Sequence, residues 1–189
     1  MKVGIIGSGG REHSLCEALS KSKKISKIYC FPGNAGTQKI AENIDINIDN
    51  FEILRNFVIS KKIELIVVGP EKPLVEGIVD FFENNNIPIF GPNKLASQLE
   101  GSKIFTKKIC DKYKIPTAKF GIFENFKKAK LFLDNTKFPI VVKADGLASG
   151  KGVYICESKE SAENAVKEIF NGKFGQTKNV LLEEFLIGE

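Results

Sequence analysis

A glycine-rich loop that follows a lysine is the part of the sequence best suited to chemistry. In the run VVKADGLASGKGV, over 141–153, a β-branched stretch leads to Lys143 and then into the loop. The candidate ligand-binding residues of the loop are Gly146, Ser149, Gly150, Lys151 and Gly152. Glycines let backbone N–H groups approach phosphate oxygens closely, and lysines supply compact positive charges. The pattern therefore predicts a polyphosphate site; the alternative is a surface turn with incidental lysines.

This loop differs from a Walker A motif. The letters GLASGK are followed by Gly152 and Val153, whereas a Walker A loop continues with Ser or Thr at the start of a helix. Because Val, Tyr and Ile come next, we expect a second strand and a hairpin whose tip is the loop. A glycine-rich hairpin that folds over nucleotide phosphates fits this pattern.

A second glycine loop, GSGGREH over 7–13, lies between a predicted strand and a predicted helix. Backbone donors and the helix dipole at such a junction favour an anion. A dinucleotide fingerprint would need a third glycine where Glu12 stands, and an acid at the end of the second strand, where the sequence has Phe-Pro. Gly9, Gly10 and Glu12 are therefore assigned to a site for a phosphate-bearing small molecule rather than for NAD.

Other polar residues follow the predicted strands of the same region. Arg11, at the start of the first helix, could bind a phosphate with two hydrogen bonds. Asn34 and Gly36 follow the second strand, and Glu71 follows the third; ligands collect at the carboxyl edge of parallel strands. Plain turn chemistry is the alternative for these loops. His13 is the single histidine, and a lone histidine is more often structural than catalytic.

The composition excludes several classes of protein. The net charge is +5, and the basic residues are interleaved with acids, which favours a solvated surface over nucleic-acid binding. The sequence has neither an 18-residue apolar run nor a signal-peptide pattern, so we expect a cytoplasmic protein without a membrane partner. The four cysteines lack CxxC or metal-ligand spacing, so we expect buried reduced thiols and no protein-only metal site.

The elements that position these residues form two patterns. The pattern predicts alternating strands and helices in the first part of the chain: strands over 2–6, 27–31, 65–68 and 88–90, and helices over 12–19, 51–61 and 74–83. Asp49 and Glu52 are interpreted as a capping box at the start of the helix over 51–61. The alternation predicts a doubly wound parallel sheet, in a domain over 1–101. A linker helix is expected within 102–118. Over 119–189, strands and helices with an antiparallel hairpin predict an α+β unit.

Seven motifs in order resemble one family along the whole chain. They are GSGGREH at 7–13, PGNAGT at 32–37, VGPEKPL at 68–74, GPNKLASQLEGSK at 91–103, KIPTAKF at 114–120, VVKADGLASGKGV at 141–153 and LLEEFLIGE at 181–189. The family is phosphoribosylamine-glycine ligase, or glycinamide ribonucleotide synthetase, of the ATP-grasp class. The resemblance implies ligation of glycine to 5-phosphoribosylamine, with ATP cleaved to ADP and phosphate through an acyl phosphate.

The resemblance also implies roles for individual residues. Lys103 and Lys143 resemble the family lysines that reach the ATP phosphates, and 146–152 resembles the loop that covers them. The first glycine loop, with Asn34, Gly36 and Glu71, would receive the phosphoribosyl substrate. The hinge that meets the adenine and ribose would contain Glu183, Glu184, Phe185, Leu186 and Glu189.

The resemblance further implies that family members are about twice as long, with magnesium ligands beyond the position of Glu189. We therefore expect Mg²⁺ to be required, the ATP-grasp core of this chain to be incomplete, and the 189 residues to be inactive alone. Two alternatives stay open. One is another ATP-grasp ligase or carboxylase with a different acceptor, and the other is a nucleotide-binding module without catalysis.

Overall fold

The computed structural model describes residues 1–148, 151–175 and 177–188. The chain divides into two compact units, Met1–Ser97 and Gln98–Glu189. The segment 102–118, expected as a linker, lies within the second unit; the functional boundaries at 101 and 119 stay predictions. In the described part of the chain, no helix has the length and apolar character needed to cross a membrane.

The first unit contains a parallel sheet of five strands in the order β3-β2-β1-β4-β5. The strands are β1 (Lys2–Gly7), β2 (Lys27–Pro32), β3 (Glu42–Asn43), β4 (Leu65–Val68) and β5 (Ile89–Phe90). The helices are α1 (Gly10–Ser20), α2 (Phe51–Lys61), α3 (Glu71–Glu76), α4 (Ile78–Asn84) and α5 (Lys94–Gly101), which runs across the division. The strand order reverses beside β1, and ligands of such sheets bind where the order reverses.

Alternate residues of the strands fill two separate cores, as a doubly wound sheet requires. Ile5 packs with Cys16 of α1 on one face, while Ile6 packs with Leu54 of α2 and Phe82 of α4 on the other. Helices therefore cover both faces of the sheet, and the loops at its carboxyl edge remain accessible to a ligand.

Three local predictions in this unit were wrong. A fifth strand, β3, was missed because its two residues, Glu42 and Asn43, are polar and of low strand propensity. The predicted helix 74–83 is two helices, since Gly77 adopts a left-handed φ of +99° between them. Asn50, not Asp49, caps α2 by accepting the N–H of Ile53, and Asp49 instead pairs with Lys72.

The second unit contains an antiparallel sheet in the order β6-β9-β7-β8. Its strands are β6 (Phe120–Phe123), β7 (Ile140–Ala144), β8 (Val153–Cys156) and β9 (Val180–Glu184), and its helices are α6 (Lys103–Lys112), α7 (Phe126–Leu133) and α8 (Lys159–Phe170). The apolar core lies between the sheet and the two helices α7 and α8. The predicted fold class, a doubly wound domain followed by an α+β unit, is confirmed.

Candidate functional site

The glycine-rich loop joins β7 to β8, as the sequence predicted. Lys143 stands opposite Val153 in the last register pair, and the Ala144 N–H donates to the carbonyl of Gly152 at 2.8 Å. Lys143 thus lies where the hairpin opens into the loop, with 25% of its side chain exposed. Gly146 adopts a left-handed φ of +93°, which favours glycine there.

Lys103 lies at the base of the same loop. It is the first residue of α6, and its Nζ donates to the carbonyl of Gly146 at 2.8 Å. Burial lowers the pKa of Lys103, and the charge of Lys143 lowers it further, against the opposing charges of Asp145 and Glu100. A part-buried lysine with a second cation nearby gains stability when an anion binds. The two residues therefore suit a polyphosphate.

Asp145 connects the loop to α6, a role that the sequence analysis missed. Its carboxylate accepts hydrogen bonds from the Oγ of Ser102, at 3.0 and 3.1 Å, and from the N–H of Ile104 at 3.2 Å. Ser102 in turn caps α6 by accepting the N–H of Phe105 at 3.0 Å. The start of the helix that carries Lys103 is thus fixed to the start of the loop.

Glu183 of β9 faces two lysines. Oε2 of Glu183 lies 2.7 Å from Nζ of Lys107, and Oε1 forms an ion pair with Lys143. Burial raises the pKa of Glu183, but the bonds and charges of the two lysines outweigh it and hold the pKa below its ordinary value. The carboxylate therefore stays ionised inside the unit.

The structure places the remaining candidates of this unit at different depths. Gly152 is buried, whereas Lys151, Glu184 and Leu186 are exposed, and Phe185 is half-buried. Ser149, Gly150 and Glu189 lie outside the described residues. The structure thus brings Lys143, Lys103 and Glu183 near the start of the loop and leaves Lys151 on the surface.

In the first unit, the loops after β1 and β4 border an open cleft of about 400 Å³. Its lining consists of Gly7, Ser8, Gly9, Gly10, Arg11, Glu12, Ile48, Pro70 and Glu71. Glu12 is buried, and its Oε2 accepts the N–H of Gly9 at 2.5 Å. A Cβ on Gly7 would come within 2.7 Å of Glu12, so the glycine makes room for this carboxylate.

The guanidinium group of Arg11 already has partners in the protein, so a phosphate would have to compete for it. It donates to Oε1 of Glu71 at 2.8 Å and also to the carbonyl of Gly69. The hydrogen bond and charge of Arg11 lower the pKa of Glu71. The pair links the loops after β1 and β4 across the carboxyl edge of the sheet, and about half of each side chain remains exposed to a ligand.

Asn34 organises the neighbouring loop. Its Nδ2 donates to the carbonyls of Ser8 and Gly9, at 2.9 and 3.2 Å, and its Oδ1 accepts the N–H of Gly36 at 2.7 Å. His13 packs so closely on Gly36 that a Cβ there would lie 2.6 Å from the imidazole. These contacts give Asn34, Gly36 and His13 a role in shaping the cleft.

No cluster of three or more His, Cys, Asp or Glu side chains suited to a metal ion occurs within residues 1–148, 151–175 and 177–188. Four free cysteines are present, of which Cys16, Cys30 and Cys156 are buried and Cys110 is half-buried.

Comparison with known families agrees with this geometry. Residues 101–189 match the family model described as phosphoribosylglycinamide synthetase, ATP-grasp (A) domain, which places the second unit in the ATP-grasp class. Residues 1–100 match the N-domain model of the same synthetase. The chain belongs to the phosphoribosylglycinamide synthetase family, and the resemblance inferred from its motifs is confirmed.

The chain is similar along its whole length to the phosphoribosylamine–glycine ligases of Caldanaerobacter subterraneus, at 47% identity, and Brucella melitensis, at 48%. It covers 46% and 44% of those proteins, so it spans about half the length of the curated relatives it matches. A crystal structure of the Thermotoga maritima ligase superposes with a TM-score of 0.80 at 34% identity, and the match covers 100% of this chain and 45% of that one.

Proposed function

We propose that the chain contributes to ATP-dependent ligation of glycine to 5-phosphoribosylamine, which yields glycinamide ribonucleotide, ADP and phosphate in purine biosynthesis. The observation that carries the proposal is that both halves match domains of one synthetase in the expected order. Because the chain covers 44–46% of its bacterial relatives, the activity is proposed for the protein made from its complete reading frame.

The second unit is the proposed site for the ATP phosphates. Lys103 and Lys143 would neutralise and orient the phosphate oxygens, and the loop that begins at Gly146 would supply backbone donors and exclude water. The lowered pKa of Lys103 supports this fit, since a bound anion would offset the repulsion between Lys103 and Lys143. Bound ATP supplies the phosphoryl group that activates the carboxylate of glycine, and Mg²⁺ is expected to arrive with the nucleotide.

The first unit is the proposed site for 5-phosphoribosylamine. The N–H groups at the start of α1 suit its phosphate, and Arg11 adds a cation at the same edge of the cleft. Glu71 is a suitable acceptor for ribose hydroxyls. Gly9, Gly10 and Glu12 line the cleft, while Asn34 and Gly36 hold its loop in place.

Omission of single substrates tests this function. Protein made from the complete reading frame is incubated with Mg²⁺, ATP, glycine and 5-phosphoribosylamine, and ADP is measured. We expect ADP formation only when glycine and 5-phosphoribosylamine are both present. ADP formation with bicarbonate in place of glycine would favour a carboxylase, and ATP binding without turnover would favour a binding module.

A further inference from the structure

Lys107 is a largely enclosed cation beside the candidate phosphate site, and none of the sequence predictions includes it. Only 12% of its side chain is exposed. Besides the ion pair with Glu183, its Nζ donates to Oγ1 of Thr117 at 2.6 Å and to the carbonyl of Ala118 at 3.4 Å. It also lies 5.5 Å from the centre of the Phe120 ring. Within the described residues Oε2 of Glu183 has no partner with hydrogen-bond geometry, so two hydrogen bonds and the charge of Glu183 together hold the ammonium group.

Lys143 shares Glu183 with Lys107 but is held much less firmly. Within the described residues, the carboxylate of Glu183 is the one polar partner found for its Nζ, and the side chain is about twice as exposed as that of Lys107. It also lies at the mouth of the loop, whereas Lys107 lies on the second turn of α6. Lys143 can therefore leave the carboxylate more readily than Lys107 can.

The burial of Glu183 makes the difference between its two lysine partners important. Its side chain is 7% exposed, and a buried carboxylate that loses its counterion carries a large desolvation cost. If Lys143 were its single partner, any ligand that attracted Lys143 would leave a buried unpaired charge. With Lys107 in place, the carboxylate stays compensated.

On the basis of the proposed function, we infer that Lys107 is the permanent counterion of Glu183, and that Lys143 is an exchangeable counterion that moves from Glu183 to a phosphate when ATP binds. Lys107 is thus a positioning residue that acts through Glu183, not a group that touches the nucleotide. No covalent step is involved, because the exchange replaces one ion pair of Lys143 with another.

A double-mutant cycle on ATP affinity tests this inference in the protein made from its complete reading frame. In Lys107→Met, ATP must separate Glu183 from its last cation, so we expect affinity to fall by about tenfold or more. The single variant Glu183→Gln, in which the buried charge is absent, is the reference for the double variant, because it includes any direct effect of Glu183 on the nucleotide. In that background Lys107→Met should change affinity by no more than about threefold. Lys108→Met, an exposed neighbour on the same helix, should leave affinity unchanged. An equal loss of affinity on Lys107→Met with and without Glu183→Gln would overturn the inference, because Lys107 would then act on ATP or on the fold directly.

Lysine NMR gives a second readout that needs no turnover. Without ligand, the ammonium protons of Lys107 should exchange with water more slowly than those of Lys143, and equal exchange rates would contradict the inference. On addition of ATP, the Nζ signal of Lys143 should shift while that of Lys107 stays in place. If ATP causes no shift but the slow exchange of Lys107 is seen, the proposed nucleotide site is wrong and the counterion assignment stands. A shift confined to Lys107 would reject the assignment.

Discussion

The carboxylate of Asp145 accepts hydrogen bonds from the Oγ of Ser102, at 3.0 Å to Oδ1 and 3.1 Å to Oδ2. These residues are 43 positions apart, yet they join the first residue after β7 to the N-cap of α6. Because Lys103 follows the cap directly, the contact fixes the position of one proposed phosphate-binding lysine relative to the glycine loop.

Removal of the Ser102 hydroxyl should therefore affect both stability and binding. We expect Ser102→Ala to lower the free energy of unfolding by about 1 kcal/mol, as for the loss of an N-cap, and also to weaken ATP binding. Ser158→Ala is a matched control, since Ser158 caps α8 by accepting the N–H of Ser161 at 3.2 Å, away from the loop. Thermal unfolding and ATP titration measure the two effects. Equal ATP affinity in Ser102→Ala and Ser158→Ala would contradict the proposed role of Ser102 in positioning Lys103.

The lowered pKa of Lys103 predicts a pH dependence of ATP binding. The protonated lysine attracts phosphate, so affinity should be constant once the ATP phosphates are fully ionised and should fall as the pH rises through the pKa of Lys103. Because burial and Lys143 lower that pKa, the midpoint of the fall should lie below the ordinary lysine value of 10.5. Lys103→Arg should move the fall to higher pH, since guanidinium stays charged. Titration calorimetry at several pH values measures this, and identical profiles for both proteins would reject the assignment.

Two glycines beside the first cleft should respond differently to substitution. A Cβ on Gly69 would overlap the buried carboxylate of Glu12, so Gly69→Ala should destabilise the first unit. A Cβ on Gly10 meets no atom within 4 Å, so Gly10→Ala should leave the melting temperature unchanged. If a phosphate binds at the start of α1, Gly10→Ala should still weaken binding of ribose 5-phosphate. Unchanged binding would place the ligand elsewhere.

The Arg11–Glu71 pair predicts an effect on binding of phosphate alone. In Glu71→Gln, Arg11 loses its charged partner and becomes more available, so affinity for inorganic phosphate should rise by a few-fold at most, because the pair is exposed. Glu76→Gln on the same helix is the control, since Glu76 pairs with Lys72. Calorimetry measures the affinity. A reduced phosphate affinity in Glu71→Gln would show that the carboxylate of Glu71 and the phosphate do not compete for Arg11.

Local sequence signals predicted most of the fold. The strand–glycine–helix opening and the β-branched run before Lys143 each specify their structure within a few residues, so β1, α1 and the β7–β8 hairpin followed from the sequence. The strand β3 did not, because its two residues are polar, and the break at Gly77 did not, because a single glycine in a helical pattern is often tolerated.

The candidate site was predicted only in part. Glycines and lysines beside one another in the sequence marked the loop, whereas the partners of Asp145 and Glu183 lie on other elements, far along the chain. The N-cap pattern at Ser102 was a usable local signal for the start of α6. Nothing local distinguishes Lys107 from the exposed Lys108, because their difference arises from packing against β6 and β9.

Two lysines of the hairpin give the most direct test of the proposed polyphosphate site, in the protein made from its complete reading frame. Lys143 lies at the end of β7, whereas Lys151 is exposed. Lys143→Ala should lower glycine-dependent ADP formation by about a hundredfold or more, as expected when a preorganised charge is removed from the transition state, and Lys151→Ala should have a milder effect. Full activity of Lys143→Ala in this assay would contradict the assignment of the polyphosphate site.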